Sequence, residues 1–357
     1  MSRPSLLPYV LALVVTPALL AACGGSQTPE DPPPVCYASH PVPDGGMIRP
    51  LNAEQWAQLI VRAYNEGQPS SQDCIGNDIQ WRPTDRQCQV HEDENEPPPR
   101  AVPITEESVV VGRADKVAIK PVWVITHRFE DGDGFGPVVV TERTEEGVSV
   151  RAMGTLRLPI ERARLRLRET GGKRILVADG ERCAPPEGEG EEGDDAAPAN
   201  AGGQEGEEAE PTCLRTSRLM PMVGDRLLSP EVRTQDGQCL GPSAVHLQRE
   251  HVAAIANGWE RVFRLAASME YVAGTVVVHE QVTVEDRDPR DPDRPARAFR
   301  TTDADRVIYL ERGGGMRSRG IPLFERTIRA HGSTQLPIAE GAEDRGQSGA
   351  GSRSKRR

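Results

Sequence analysis

From residue 117 to residue 310 apolar side chains recur mostly at every second position, the spacing of a chain that shows alternate residues to the two faces of a sheet. The period of two predicts strands at 117–129, 138–143, 148–158, 163–168, 174–178, 259–271, 275–285, 298–310 and 323–328, separated by Gly, Asp and Pro turns. Two segments follow a helical period instead. Asn52 caps a helix over 53–65, with Gln55 at the capping-box position and Trp56, Leu59, Ile60 and Ala63 on one stripe. Ser243 caps a second, with Val245, Val252 and Ile255 apolar and Gly258 as its stop. The expected fold is mainly β: an antiparallel β-barrel or β-sandwich-like body with two helices and long disordered insertions.

Composition places the insertions. Residues 184–212 hold ten acids and no Lys, Arg or aromatic residue, so they cannot bury enough apolar area to offset their ordering entropy. Taking those ten from the 54 acids of the chain leaves 44 against 43 bases, so nearly all of the net charge of −11 lies in this insert. A near-neutral body does not indicate a nucleic-acid partner. Residues 24–34 carry four prolines without periodicity and read as a stiffened tether, and the basic tail 339–357 is expected to be disordered.

The first two dozen residues differ from all of this. Arg3 precedes a fifteen-residue apolar run, Leu6 to Leu20, broken by Pro8 and Pro17 and short of the roughly twenty residues a membrane span needs. It ends in Leu20-Ala21-Ala22-Cys23, the layout of an export signal. These residues resemble the lipobox of the bacterial lipoprotein family. The resemblance implies removal of residues 1–22 and attachment of diacylglycerol to the Cys23 thiol. Gly24, where an aspartate often marks inner-membrane retention, implies the outer membrane, facing the periplasm. Two or more acyl chains hold a protein stably on a membrane, whereas one does so only marginally.

The chain has seven cysteines, and lipidation of Cys23 leaves six that export permits to pair. Cys183 and Cys213 bracket the acidic insert and are expected to close it at its base. Cys74 and Cys88 flank a turn-rich segment and are expected to pair locally, leaving Cys36 for Cys239, although six cysteines allow fifteen connectivities. The body is then 36–183 with 213–338, interrupted by the insert.

Candidate chemistry is sparse. Arg162, Arg164, Arg166 and Arg168 alternate with Ala163, Leu165 and Leu167, setting four guanidiniums along one face of a strand. Such a ladder needs acids across from it, for which Glu142, Glu145, Glu146 and Glu169 are the expected sources, or else it forms an anion-binding face for lipid headgroups or acidic polysaccharide. Asp131, Asp133, Gly136 and Glu142 fit positions one, three, six and twelve of a calcium loop, but Phe135 stands where an oxygen donor belongs and Pro137 bars the following helix. Gly and Asp also suit a hairpin tip. His246 and His251 are five apart, His279-Glu280 lacks a second histidine, and no nucleophile elbow, phosphate loop or dinucleotide fingerprint occurs. No cofactor is expected. The reading is a lipid-anchored envelope protein that binds or scaffolds another envelope protein, lipid or polysaccharide; a periplasmic carrier with an apolar ligand in a β-barrel comes second, and an envelope hydrolase third.

Overall fold

The computed structural model describes residues 34–39, 50–64, 72–79, 97–145, 147–184, 212–291 and 294–332. Cys23 with its lipobox, Cys88, Glu146, residues 185–211 of the acidic insert and the basic tail lie outside them.

The N-terminal layer contains β1 (Cys36–Ser39), α1 (Ala53–Ile60), β2 (Arg100–Ala101), β3 (Val109–Val111), β4 (Arg113–Ala114), β5 (Ile119–Val124), β6 (His127–Arg128), β7 (Asp133–Thr144) and β8 (Gly147–Pro159). The antiparallel order is β3-β5-β7-β8-β1, with β6 joining β7 beyond the end of β5. The expected capping box is present: Asn52 accepts from the Gln55 backbone at 2.9 Å and the Gln55 side chain accepts from the Asn52 backbone at 3.0 Å. Trp56, Leu59 and Ile60 then press onto Val122, Val124, Val139 and Val150, closing a core on the outer face of this layer.

A long meander follows: β9 (Glu161–Thr170), β10 (Lys173–Ala184) and β11 (Thr212–Val223). Leu165, Leu167, Leu176, Ala178 and Met220 face Trp123, Val138, Val140, Ala152 and Leu158 of the first layer. The opposite side of the meander contributes Ile175, Val177 and Leu219 to a third core. β10 is therefore apolar on both faces, which is why Ile175-Leu176-Val177-Ala178 reads as an unbroken run and not as an alternation.

The rest of the chain builds the other wall of that third core. β12 (Arg226–Leu227), β13 (Glu231–Thr234), β14 (Cys239–Pro242), β15 (Ala244–Ala254), β16 (Glu260–Val272), β17 (Thr275–Arg287), β18 (Arg297–Leu310) and β19 (Met316–Arg319) precede α2 (Leu323–His331). β11 pairs with β15, and β15-β16-β17-β18-β19 continue antiparallel. Val276, Val278, Ile308 and Val232 meet Ile175 and Leu219, while Phe263, Leu265, Val282 and Val284 are covered by Leu323 and Phe324 of α2. Short parallel pairings, β4 with β9, β12 with β8 and β13 with β19, make the sheet mixed, and it is not closed into a barrel.

Three sequence expectations change here. The segment after Ser243 is strand β15, not a helix: residues 248–254 pair with 266–260, and Gly258, at φ +73°, turns that hairpin instead of ending a helix. Val245 and Leu247 enter the third core, so alternation overrode the weaker 3.6-residue pattern. Conversely 323–328 is helical, because Leu323, Phe324 and Thr327 form one buried stripe. Finally Cys36 joins Cys74, with Cα atoms 6.3 Å apart, so the expected Cys74–Cys88 and Cys36–Cys239 pairs do not form; Cys239 is disulfide-bonded nonetheless. The reason is that β1 lies on β8 and packs with Cys74 over the α1 core, a proximity that local spacing does not reveal.

Cys183 and Cys213 are bonded as expected, on directly opposed positions of β10 and β11. In the chain-entropy model, closing the loop between them contributes up to about 3–4 kcal/mol. Cys183→Ser with Cys213→Ser should therefore lower unfolding free energy in guanidinium titration by more than about 1 kcal/mol; a smaller loss means that strand pairing alone holds the loop base.

Candidate functional site

Alternation on β9 sends Leu165 and Leu167 into the first core, which leaves the guanidiniums on the opposite face. Their neighbour is β10, so most of the neutralising acids come from there, with Asp115 beside Arg168, and not from Glu142, Glu145 or Glu169. Arg162 lies 3.3 Å from Glu181, Arg166 donates to Asp179, Arg168 is 3.9 Å from Asp115, and Arg164 stands opposite Asp179 in register. Glu142 is taken by Arg151 at 2.7 Å. The ladder is thus largely a charge-compensated strand, with Arg162 and Arg164 its exposed residues.

Asp179 draws this strand toward the interior. Only 3 % exposed, it accepts from Ser217 on β11 as well as from Arg166, tying three strands together. The Tyr271 hydroxyl of the facing layer is buried nearby with no hydrogen-bond partner among the described residues, and burial followed by the Asp179 charge pushes its pKa up to about 12. An acid held this way is committed to guanidinium and hydroxyl donors, an arrangement that fixes register.

A second buried acid organises the C-terminal layer. Val276, Val278, Glu280, Val282 and Val284 occupy one face of β17, and Glu280 is 4 % exposed in the middle of that stripe. One carboxylate oxygen accepts from Arg306 Nε at 3.0 Å and the other from the Leu323 backbone N–H at 2.8 Å, the first residue of α2. Glu280 satisfies one of the unpaired amides at the helix start and places a negative charge at its positive pole. Within reach of the same Arg306 charge, His246 meets Thr216 at 3.2 Å, and burial, then Arg249, Arg218 and Arg306, lower its pKa to about 4. Sequence reading passed over Glu280, although an acid inside a run of alternate valines is itself the signal.

The hairpin tip at 129–133 is not a calcium loop. Arg157 meets Asp131 and Asp133 at 3.1 Å, and Arg182 meets Asp131 at 2.9 Å and also binds Asp133. Burial alone would raise the Asp131 carboxyl, but the Asp133 amide, Arg182 and Arg157 hold it below its usual range. Glu142 lies about nine residues up an extended strand from Asp133, roughly 30 Å away, and cannot share an ion with it. Gly136 is glycine because a Cβ there would sit 2.0 Å from the Val124 carbonyl oxygen.

A groove of about 560 Å³ lies where the Cys36–Cys74 region meets β8 and β12, lined by Val35, Asp73, Ile79, Met153, Asp225 and Leu228 among others. Asp73 is engaged in its own turn, accepting from the amides of Ile75 at 3.1 Å and Asn77 at 2.8 Å. Glu181, Cys183 and Cys213 cluster within 4.8 Å, but both sulfurs are in a disulfide and are not available as thiolate ligands. On the outer face of β17, exposed His279 sits 2.8 Å from Asp305 and 3.7 Å from Glu270, and these carboxylates raise its pKa, Asp305 first.

No family model matches the chain, and neither the curated proteins nor the solved structures contain a match to it.

Proposed function

We propose that this chain is a lipid-anchored cell-envelope protein whose body binds or scaffolds a partner at the membrane surface, on the periplasmic face of an outer membrane. The observation that carries the reading is Leu20-Ala21-Ala22-Cys23 at the end of a short apolar run, followed by a proline-rich tether. The body is consistent with this use: side chains from facing layers fill its cores, and its buried acids are tied to guanidiniums and amides. A carrier with an apolar ligand in a barrel finds no support in a sheet that does not close. The partner on this reading is the membrane, through the acyl chains, together with an envelope protein, lipid or polysaccharide met by the exposed faces.

Cells fed radiolabelled palmitate should yield labelled wild-type protein in the membrane fraction, and Cys23→Ala should lose the label altogether. Label that never follows the wild type, or follows Cys23→Ala equally, refutes the anchor.

A further inference from the structure

The sheet face covered by α2 runs on past the end of that helix. There Arg261, Asp286 and Arg297 form a row across β16, β17 and β18. Arg261, 1 % exposed, grips Asp286 through two hydrogen bonds of 2.8 and 3.1 Å and donates a third, at 3.1 Å, to the His331 carbonyl at the end of α2. Its guanidinium lies 4.3 Å from the centre of the Phe299 ring, whose own edge contact is with His331 at 5.6 Å. Trp259, just before β16, carries two more guanidiniums on its ring, Arg297 at 4.9 Å and Arg294 at 5.2 Å. Arg290 folds back over Gly258, where a Cβ would meet it at 2.1 Å. Arg300 completes the group, 3.5 Å from His331 Nε2.

Among the described residues here, Arg261, Arg287, Arg290, Arg294, Arg297 and Arg300 outnumber the acids Glu260, Asp286, Asp288 and Asp291. Asp286 is spent on Arg261, Glu260 on Arg287 at 2.9 Å, and Asp288 stands 3.9 Å from Arg294. Arg290, Arg297 and Arg300 are exposed and have no carboxylate in ion-pair contact among the described residues. The pKa of His331 lies below its ordinary value, through burial first and then Arg300 and Arg261, so these guanidiniums disfavour a further positive charge on the ring. A guanidinium held over an indole by cation–π attraction can still offer N–H donors, and its planar fork matches two oxygens of a phosphate. Trp259 and Phe299, the latter 40 % exposed, supply amphipathic and apolar surface of the kind that settles at a membrane interface.

We propose that Arg290, Arg297 and Arg300, set around Trp259 and Phe299, form a binding site for phosphate groups, and that the phosphates are those of anionic lipid headgroups. The anion site stands on its own geometry; the choice of a lipid surface rests on the lipid-anchor reading. The acyl chains would hold the protein to the membrane, and this patch would turn the C-terminal end of the body toward it.

The mature polypeptide 23–357 carrying Cys23→Ser has no acyl chain, so its behaviour is independent of the Cys23 label. It should co-sediment with vesicles of phosphatidylcholine plus phosphatidylglycerol and not with phosphatidylcholine alone. Arg297→Gln with Arg300→Gln should weaken that binding about thirtyfold, the factor that about 1 kcal/mol per basic side chain gives for two residues. Arg162→Gln with Arg164→Gln removes the same net charge from the β9 ladder and should leave binding within about threefold of the parent. Both doubles are compared at matched melting temperature. Equal losses in the two doubles, or no response to either the anionic vesicles or inorganic phosphate, overturn the site. Inorganic phosphate that changes Trp259 emission while the anionic vesicles go unbound overturns the lipid source.

Discussion

Glu280→Ala is expected to destabilise the body by about 3–5 kcal/mol, because it leaves the Arg306 guanidinium buried without its counter-charge. For a protein of this size the melting temperature should fall by about 10 °C. Arg306 is 6 % exposed and β17 and β18 hold it in place on both sides of the pair, so water cannot readily replace the lost carboxylate. The same change strips the Leu323 amide of its acceptor and detaches the start of α2 from the sheet, exposing Phe263 and Val282 beneath it. Glu280→Leu with Arg306→Met tests the cause. An apolar pair in place of a buried ion pair is often neutral or stabilising, so the double variant should recover to within about 1–2 kcal/mol of wild type, the remainder being the uncapped amide. Urea unfolding of the three proteins decides it. A loss below about 1 kcal/mol in Glu280→Ala would show that the charge pair is not structurally committed.

The second large effect is a fall in stability with acid between pH 6.5 and about 4. His246 ionises near 6.5 when unfolded but near 4 when folded, because burial and the charges of Arg249, Arg218 and Arg306 all disfavour the imidazolium. In that window the unfolded chain binds a proton that the folded chain refuses, so stability rises with pH and is lost as pH falls. A difference of some 2.5 units corresponds to about 3 kcal/mol when complete, and His246 is buried enough for most of that to be expressed. His246→Gln keeps a hydrogen-bonding group near Thr216 and removes the titration. Its unfolding free energy should change less than that of wild type between pH 7 and pH 4, by about 2–3 kcal/mol. Parallel pH profiles for the two proteins would assign the acid sensitivity to other groups.

The sequence carried more of the fold than of the surface chemistry. The α1 cap was legible because Asn52 and Gln55 interact within one turn of chain, and the long strands because alternation survives wherever one face is buried. β15 and α2 were misread for a shared reason. Segments of nine to eleven residues with three or four apolar positions fit both periods, and what separated them was the partner each met: β16 for one, Glu280 and the β16-β17 face for the other. Charged residues were harder still. Spacing placed Arg162, Arg164, Arg166 and Arg168 on one face, yet their acids came from β10 and from Asp115, which spacing does not reveal.

By itself the amino-acid order determined the period-two β character, the helix beginning at Ala53 and the Cys183–Cys213 closure at the base of the acidic insert. These are consequences of local periodicity, capping and composition, which act over a few residues. Which cysteine joins Cys36, which charges cancel, and which arginines remain without carboxylates followed only from how the layers stack. Electrostatic pairing and disulfide formation depend on distances of a few ångströms between residues that can lie dozens of positions apart, and packing alone sets those distances.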